Sequence, residues 1–199
     1  MKYLSKNIEY IGFDMDGTLY DEFEFISQVY KEISKITGYE SYQFMCNRWI
    51  EKGSSYNKIF DETYDMYGLD LEYTKEEFIN KGLEIFRNFS PNISLSTRVK
   101  HLLTFYKQNY QIFLISDGNP LLQKKKFFSL GLENFFNDSD VVFTGSYSQD
   151  HYKPNTKSIE LLDIDTTKTL FFGDRDIDEI FAKNVGLKFV KVYNMVEII

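Results

Sequence analysis

The stretch Ile11-Gly12-Phe13-Asp14-Met15-Asp16-Gly17-Thr18-Leu19 decides the fold of this chain. The largely apolar residues 7–13 predict a buried strand, and Gly17 ends that strand in a loop. Both aspartates therefore lie where a strand passes into a loop, the usual position of a site in an open α/β sheet. Two carboxylates so close repel each other unless a cation or a proton intervenes. Because Mg²⁺ takes oxygen ligands and usually also holds a substrate phosphate, the pair indicates a magnesium site.

Strands and helices alternate from Ser96 onwards. The patterns predict strands at 111–115, 141–144, 169–172 and 189–193, and helices at 96–108, 120–130, 154–162 and 177–184. Strands separated by helices imply a parallel sheet with right-handed crossovers. The predicted fold class is therefore α/β, with a Rossmann-like parallel sheet that carries helices on both faces.

Residues 21–89 interrupt this alternation with a pattern that is helical throughout. Apolar residues recur at helical spacing up to Gly38, and further helices are predicted at 40–51, 55–67 and 74–88. We expect this segment to be an α-helical cap inserted after the first strand. The predicted domains are a catalytic core, 1–20 with 91–199, and a cap, 21–90.

Composition excludes several other classes of protein. The 23 basic and 30 acidic residues give a net charge of −7, which disfavours nucleic acid or an anionic membrane as the main partner. Cys46 is the single cysteine, so an internal disulfide and a cysteine-based zinc cluster are excluded. With no signal peptide and no apolar run of membrane-spanning length, a cytoplasmic location is expected. A monomer is the default expectation.

Three further loops follow predicted strands and carry polar residues. They hold Ser116-Asp117-Gly118, then Lys153 before a proline, then Asp174 and Asp178. A hydroxyl and backbone N–H groups at a helix start can cradle a phosphoryl group, and a lysine can offset its charge. Each loop alone also fits a simpler role, as a helix cap, a surface lysine or acids that complement a helix dipole. Their convergence at the carboxyl ends of parallel strands favours a common site.

Together these residues resemble the haloacid dehalogenase (HAD) superfamily, subfamily I with a helical C1 cap, of the phosphoglycolate phosphatase and beta-phosphoglucomutase type. The match runs in the family's order from Asp14-Met15-Asp16-Gly17-Thr18-Leu19 through Ser116 and Lys153-Pro154 to Gly173-Asp174 with Asp178. The second motif departs from the pattern, because Ser116-Asp117-Gly118 stands where relatives often have Thr-Asn-Gly. Asp117 thereby adds a negative charge near the expected anion.

The resemblance implies a role for each matched position. Asp14 would be the nucleophile and a metal ligand, and Asp16 the acid/base, which also binds metal through its backbone carbonyl. Asp174 would complete a Mg²⁺ site, with Thr18 and Asp178 in support. The residues expected to bind the phosphoryl group are Ser116, Asp117, Gly118 and Lys153.

These roles predict a Mg²⁺-dependent phosphatase that hydrolyses a small phosphorylated metabolite through an aspartyl-phosphate. A phosphomutase of the same superfamily is the alternative within the fold, and a non-catalytic binding or regulatory protein is the alternative of another class. A dehalogenase is disfavoured because Asp16 would have no obvious use in it. Since the fold alone does not establish function, the prediction depends on Asp14, Asp16, Lys153 and Asp174 together.

Overall fold

The computed structural model of the protein describes residues 7–69 and 71–198. The chain divides into two compact units, one formed by Met1–Glu22 with Asn92–Ile199 and the other by Phe23–Pro91. The described part of the second unit is helical, with four helices: α1 (Glu22–Thr37, whose first residue belongs to the first unit), α2 (Tyr39–Lys52), α3 (Ile59–Tyr67) and α4 (Lys75–Asn88). Whether this unit serves as a cap stays a prediction.

The first unit is built on a six-stranded sheet. Its strands are β1 (Tyr10–Phe13), β2 (Gln111–Ser116), β3 (Val141–Phe143), β4 (Thr169–Gly173), β5 (Lys188–Tyr193) and β6 (Val196–Glu197). They lie in the order β3-β2-β1-β4-β5-β6. All neighbouring pairs up to β5 are parallel, and β6 pairs antiparallel with β5. The predicted α/β class with a parallel sheet is confirmed.

Three helices of this unit flank the sheet: α5 (Thr97–Asn109), α6 (Pro120–Ser129) and α7 (Asp176–Val185). Neighbouring residues of a strand point to opposite faces. Phe172 contacts Tyr106 of α5, with ring centroids 5.8 Å apart, whereas Phe171 contacts Phe181 of α7 at 5.5 Å. Helices α5 and α7 therefore cover opposite faces of the sheet.

The register of β1 determines where the site forms. Phe13, the last residue of β1, is level with Leu114 of β2 and Phe172 of β4. Asp14 follows directly, and its N–H donates to the Phe172 carbonyl at 2.9 Å. The carboxyl ends of the three central strands thus bring the first, second and fourth polar loops to one edge.

The predicted helix at 154–162 is wrong. That segment contains only a short 3-10 turn, at Lys157–Leu161. The run Asn155-Thr156 with Ser158 explains the error, because such side chains offer the backbone competing hydrogen bonds and disfavour a helix interior.

Two other boundaries differ from the prediction. Helix α3 begins at Ile59 rather than at residue 55, since Gly53 and the turn after it interrupt the helical pattern. Strand β6 was not predicted. Its turn, Asn194-Met195, has positive φ at both residues but no glycine to mark it.

Candidate active site

The loop after β1 holds the two aspartates in very different surroundings. Asp14 is buried beneath the end of the sheet. Gly17 turns the loop with φ of 73°, and a Cβ atom at Gly17 would stand 2.4 Å from Oδ2 of Asp174. Glycine therefore meets two needs at once, a left-handed backbone and the close approach of the loop to β4. The buried hydroxyl of Thr18 lies 3.5 Å from carboxylate oxygens of both Asp14 and Asp174.

Lys153 places a buried cation against these acids. Its Nζ donates to Oδ1 of Asp14 and to Oδ1 of Asp178, each at 2.5 Å. Burial works to lower the pKa of Lys153, but the two carboxylates outweigh it and hold the pKa above its ordinary value. The ammonium group therefore stays charged beside Asp14, as a group that is to stabilise an anion must.

Asp14, Asp174 and Asp178 form an acidic cluster, with one oxygen of each within 4.8 Å of the others. Burial raises the pKa of Asp14 to about 7, against the opposing attraction of Lys153. Burial and then the charge of Asp14 raise the pKa of Asp174 to about 8. The repulsion in this cluster is therefore only partly relieved by the protein. A set of carboxylate oxygens with unrelieved charge suits a hard divalent cation such as Mg²⁺.

The carboxylate of Asp16 is held apart from this cluster. Its Oδ1 accepts hydrogen bonds from the Tyr20 hydroxyl and, at 2.7 Å, from Nζ of Lys126. Its Oδ2 accepts one from Nε2 of Gln123 at 2.6 Å. Burial works to raise the pKa of Asp16, but Lys126, Gln123 and Tyr20 together lower it. These three donors therefore favour the ionised form of Asp16.

The second loop contributes a buried hydroxyl. Ser116 ends β2, and its Oγ accepts a hydrogen bond from Gln123 at 2.7 Å. Asp117 is engaged elsewhere, because its Oδ1 accepts from the Thr144 hydroxyl at 2.8 Å and from the Lys153 N–H at 3.4 Å. These contacts keep the Asp117 carboxylate on the β3 side of the loop. Gly118 follows, one residue before Asn119 caps α6. The predicted roles of all three at phosphate stay predictions.

Sequence reasoning missed Gln123, Lys126 and Tyr20, the three residues that hold Asp16. A signal for Lys126 was present in α6. The buried apolar residues Leu122 and Phe127 of α6, with Leu130 directly after its end, mark the buried face of the helix. Lys126 stands four residues after Leu122 and four before Leu130, so it falls on that face. A lysine in an apolar stripe predicts a buried partner.

Glu22 and Arg175 complete the charges around the site. Burial and then the charge of Asp16 raise the pKa of Glu22 to about 7. Nε of Arg175 lies 3.9 Å from Oδ1 of Asp174, within ion-pair distance.

Residues 11–192 match the family model of the haloacid dehalogenase-like hydrolases. The chain belongs to this family. The resemblance drawn from the motifs is thereby confirmed, and the HAD match runs from the strand before Asp14 to β5.

Named relatives of this HAD chain are phosphatases. A glyceraldehyde 3-phosphate phosphatase from Pyrococcus furiosus is 28% identical over 196 residues, which cover 93% of this chain and 80% of the relative. A second protein of that name, from Methanocaldococcus jannaschii, is 26% identical and covers 93% of this chain and 85% of its own length. The prediction of an enzyme of the HAD phosphatase type is confirmed.

Solved structures share the fold. A candidate beta-phosphoglucomutase from Thermotoga maritima superposes with a TM-score of 0.70 at 21% identity, covering 92% of this chain and 85% of the other. In the residues that the structure describes, no helix combines the length and the apolar character needed to span a membrane. The expected cytoplasmic location and monomeric state stay predictions.

Proposed function

We propose that the protein is a Mg²⁺-dependent phosphatase in which Asp14 is the nucleophile and Asp16 is the general acid/base. One observation carries the proposal: buried Lys153, buried Asp178 and partly buried Asp174 surround Asp14 at the end of the central strand. A carboxylate in such a position can attack phosphorus and form a covalent intermediate.

The reaction has two balanced steps. A carboxylate oxygen of Asp14 attacks phosphorus, the bond from phosphorus to the ester oxygen breaks, and the leaving oxygen takes a proton from Asp16. Water then attacks phosphorus and gives a proton to Asp16, while the bond from phosphorus to Asp14 breaks. Inorganic phosphate and the starting carboxylate are the products. The second step uses Asp16 as a base, the reverse of its part in the first.

The surrounding residues hold the transferring group. Lys153 offsets the negative charge that Asp14 and the phosphoryl oxygens bring together, and the Ser116 hydroxyl donates to a phosphoryl oxygen. Asp178 orients Lys153 through the 2.5 Å hydrogen bond. Asp14 and Asp174 are the side chains that would hold Mg²⁺, with the Asp16 carbonyl, and with Thr18 and Asp178 in support. When bound, the cation supplies charge neutralisation between the acids and the phosphate.

The ionised state of Asp16 fits its part as the base of the second step. Its part as the acid of the first step needs a proton, and a phosphate dianion that arrives nearby favours the protonated form of a carboxyl group. Lys126 and Gln123 keep the carboxylate in place in both states.

The substrate class proposed is a small phosphorylated metabolite. Relatives named as glyceraldehyde 3-phosphate phosphatases align over more than nine-tenths of this chain, so three-carbon phosphates are the first compounds to test. We assign residues 21–90 as the cap. A substrate panel of triose phosphates, sugar phosphates, nucleotides and phosphoacids identifies the preferred compound, and transfer of phosphate to a second sugar position would reveal a phosphomutase.

The central test replaces the nucleophile. Asp14→Asn is expected to lower turnover of p-nitrophenyl phosphate by a factor on the order of 10⁴ or more, because covalent catalysis is lost. Wild-type turnover is expected to require Mg²⁺ and to vanish with a chelator. The control is Asp176→Asn, which removes a surface acid paired with Lys191 two residues beyond Asp174. Turnover of Asp14→Asn equal to that of the control would refute the mechanism.

A further inference from the structure

Helix α6 brings two polar side chains, Gln123 and Lys126, from its sheet-facing side onto Asp16. We infer that these two are positioning residues, which hold the carboxylate of Asp16 in the geometry that proton transfer to the leaving oxygen requires; Gln123 also contacts the hydroxyl of Ser116. This inference rests on the proposed function, in which Asp16 is the acid/base.

Gln123 links the two catalytic loops through a single amide nitrogen. The residue is 2% exposed. Its Nε2 lies 2.6 Å from Oδ2 of Asp16, 2.7 Å from Oγ of Ser116 and 2.8 Å from the carbonyl oxygen of Asp117. The amide group has two hydrogens for these three acceptors, so at least one hydrogen is shared. Because an amide nitrogen does not accept hydrogen bonds, the Ser116 hydroxyl does not donate its own proton to Gln123. Gln123 therefore directs that proton away from α6 and couples Ser116 to Asp16.

Lys126 fixes the other oxygen of the same carboxylate. It is 3% exposed, and its Nζ donates to Oδ1 of Asp16 at 2.7 Å. Gln123 and Lys126 are three residues apart and so share one face of the helix. With a donor on each oxygen, the carboxylate plane can neither rotate nor translate without breaking a buried, charge-assisted hydrogen bond.

Stability alone gives no reason for this arrangement. Desolvation of a buried ion pair offsets much of its Coulomb energy, so apolar residues of similar volume often serve a fold equally well. Lys124 and Lys125, on the same helix, are exposed to solvent, whereas Lys126 is buried. The inward direction of Lys126 is explained by its target, the Asp16 carboxylate.

The test compares two substrates that differ in their need for a general acid. A p-nitrophenolate ion leaves without a proton, whereas the alkoxide of glycerol phosphate requires one. A misplaced Asp16 should therefore slow the alkyl ester selectively. For Lys126→Met and for Gln123→Met we expect kcat/KM to fall about 10- to 100-fold with glycerol phosphate, and by no more than about threefold with p-nitrophenyl phosphate.

Matched variants separate positioning from folding. Lys124→Met, an exposed lysine on the same helix, is expected to leave both rates unchanged, and Lys126→Arg is expected to recover part of the rate with glycerol phosphate. Gln123→Met removes no charge, so it carries the test independently of any effect of Lys126→Met on stability. Added to Asp16→Asn, Lys126→Met should cause no further selective loss, since both act through one group.

Two results would overturn the inference: equal losses on both substrates, or glycerol phosphate rates for Lys126→Met and Gln123→Met that match Lys124→Met. Either result is distinguishable from failure of the proposed function. If the proposed function itself were wrong, Asp14→Asn would retain turnover, whatever the substitutions in α6 do.

Discussion

At the scale of single residues, the site depends on one position where no side chain fits. Gly17 combines φ of 73° with the close approach of Asp174, whose Oδ2 would lie 2.4 Å from an added Cβ atom. The left-handed backbone alone costs a non-glycine residue about 1–2 kcal/mol. The close approach adds a second cost, because the carboxylate of Asp174 has to move. The proposed metal site and the stability of the fold are therefore linked at this glycine.

Gly17→Ala tests this link. We expect a loss of about 1–2 kcal/mol in the free energy of unfolding from the backbone conformation, together with a loss of about 100-fold in turnover because Asp174 is displaced. Gly186→Ala is the matched control, since Gly186 is also left-handed, with φ of 85°, and an added Cβ meets no atom within 4 Å. Thermal unfolding with and without Mg²⁺ distinguishes them. If Gly17→Ala kept the Mg²⁺-dependent rise in Tm that Gly186→Ala retains, displacement of Asp174 would be refuted.

At the scale of elements, the start of α6 determines the site's geometry. Asn119 caps the helix, with Oδ1 accepting from the Leu122 N–H at 3.1 Å. Gln123 directly follows Leu122, and it donates to Asp16 of the first loop and to Ser116 of the second. The Asn119 side chain therefore stabilises the first turn of α6, on which the contacts to Asp16 depend.

Asn119→Ala is expected to lower stability by about 1 kcal/mol and to lower kcat/KM for an alkyl phosphate about tenfold as the first turn frays. The comparison is Thr74→Ala, which removes the capping box of α4. A similar loss of stability is expected there, with little change in kcat/KM. Chemical denaturation measures the first quantity and steady-state kinetics the second. Equal kinetic effects of the two substitutions would show that α6 has no special part.

Elements with local signals were predictable from the sequence. Ser96 and Asn119 cap the helices that their positions predicted, and the apolar runs became the parallel strands. The errors occurred in segments whose secondary structure depends on tertiary contacts. The segment after Pro154 forms only 3-10 turns, and β6 depends on a turn whose N–H groups, at Asn194 and Met195, donate to the carbonyls of Gly17 and Thr18. No sequence pattern within either segment predicts such a tertiary contact.

At the scale of the whole molecule, the order of the strands explains why the acids could be found from the sequence and the partners of Asp16 could not. Asp14, Ser116 and Asp174 each stand at or just beyond a strand end, so a parallel sheet brings them together wherever its helices lie. Gln123 and Lys126 reach the site from within a helix, and their direction depends on how α6 packs. Alternation of strands and helices predicts that α6 exists, but not its rotation about its axis.

These clustered acids are expected to make the stability of the metal-free protein depend on pH, and Mg²⁺ should counteract that dependence. Burial is the largest cause that raises the pKa values of Asp14 and Glu22 to about 7 and of Asp174 to about 8. Unfolded carboxyl groups titrate near pH 4. Between about pH 4 and pH 8 the metal-free folded state therefore binds more protons than the unfolded state, and stability falls as pH rises.

We expect the Tm of the chelator-treated protein to fall steadily from pH 5 to pH 8, and the rise in Tm on adding Mg²⁺ to be larger at pH 8 than at pH 6. Mg²⁺ binds the ionised acids, so it competes with protons at low pH. Asp174→Asn should flatten the metal-free profile and abolish the Mg²⁺ effect, whereas Asp176→Asn should keep both. A metal-free Tm that rises with pH through this range would contradict the burial of unrelieved charge at Asp14 and Asp174. The cation site argued from that charge would then lose its physical basis, even if the nucleophile test succeeded.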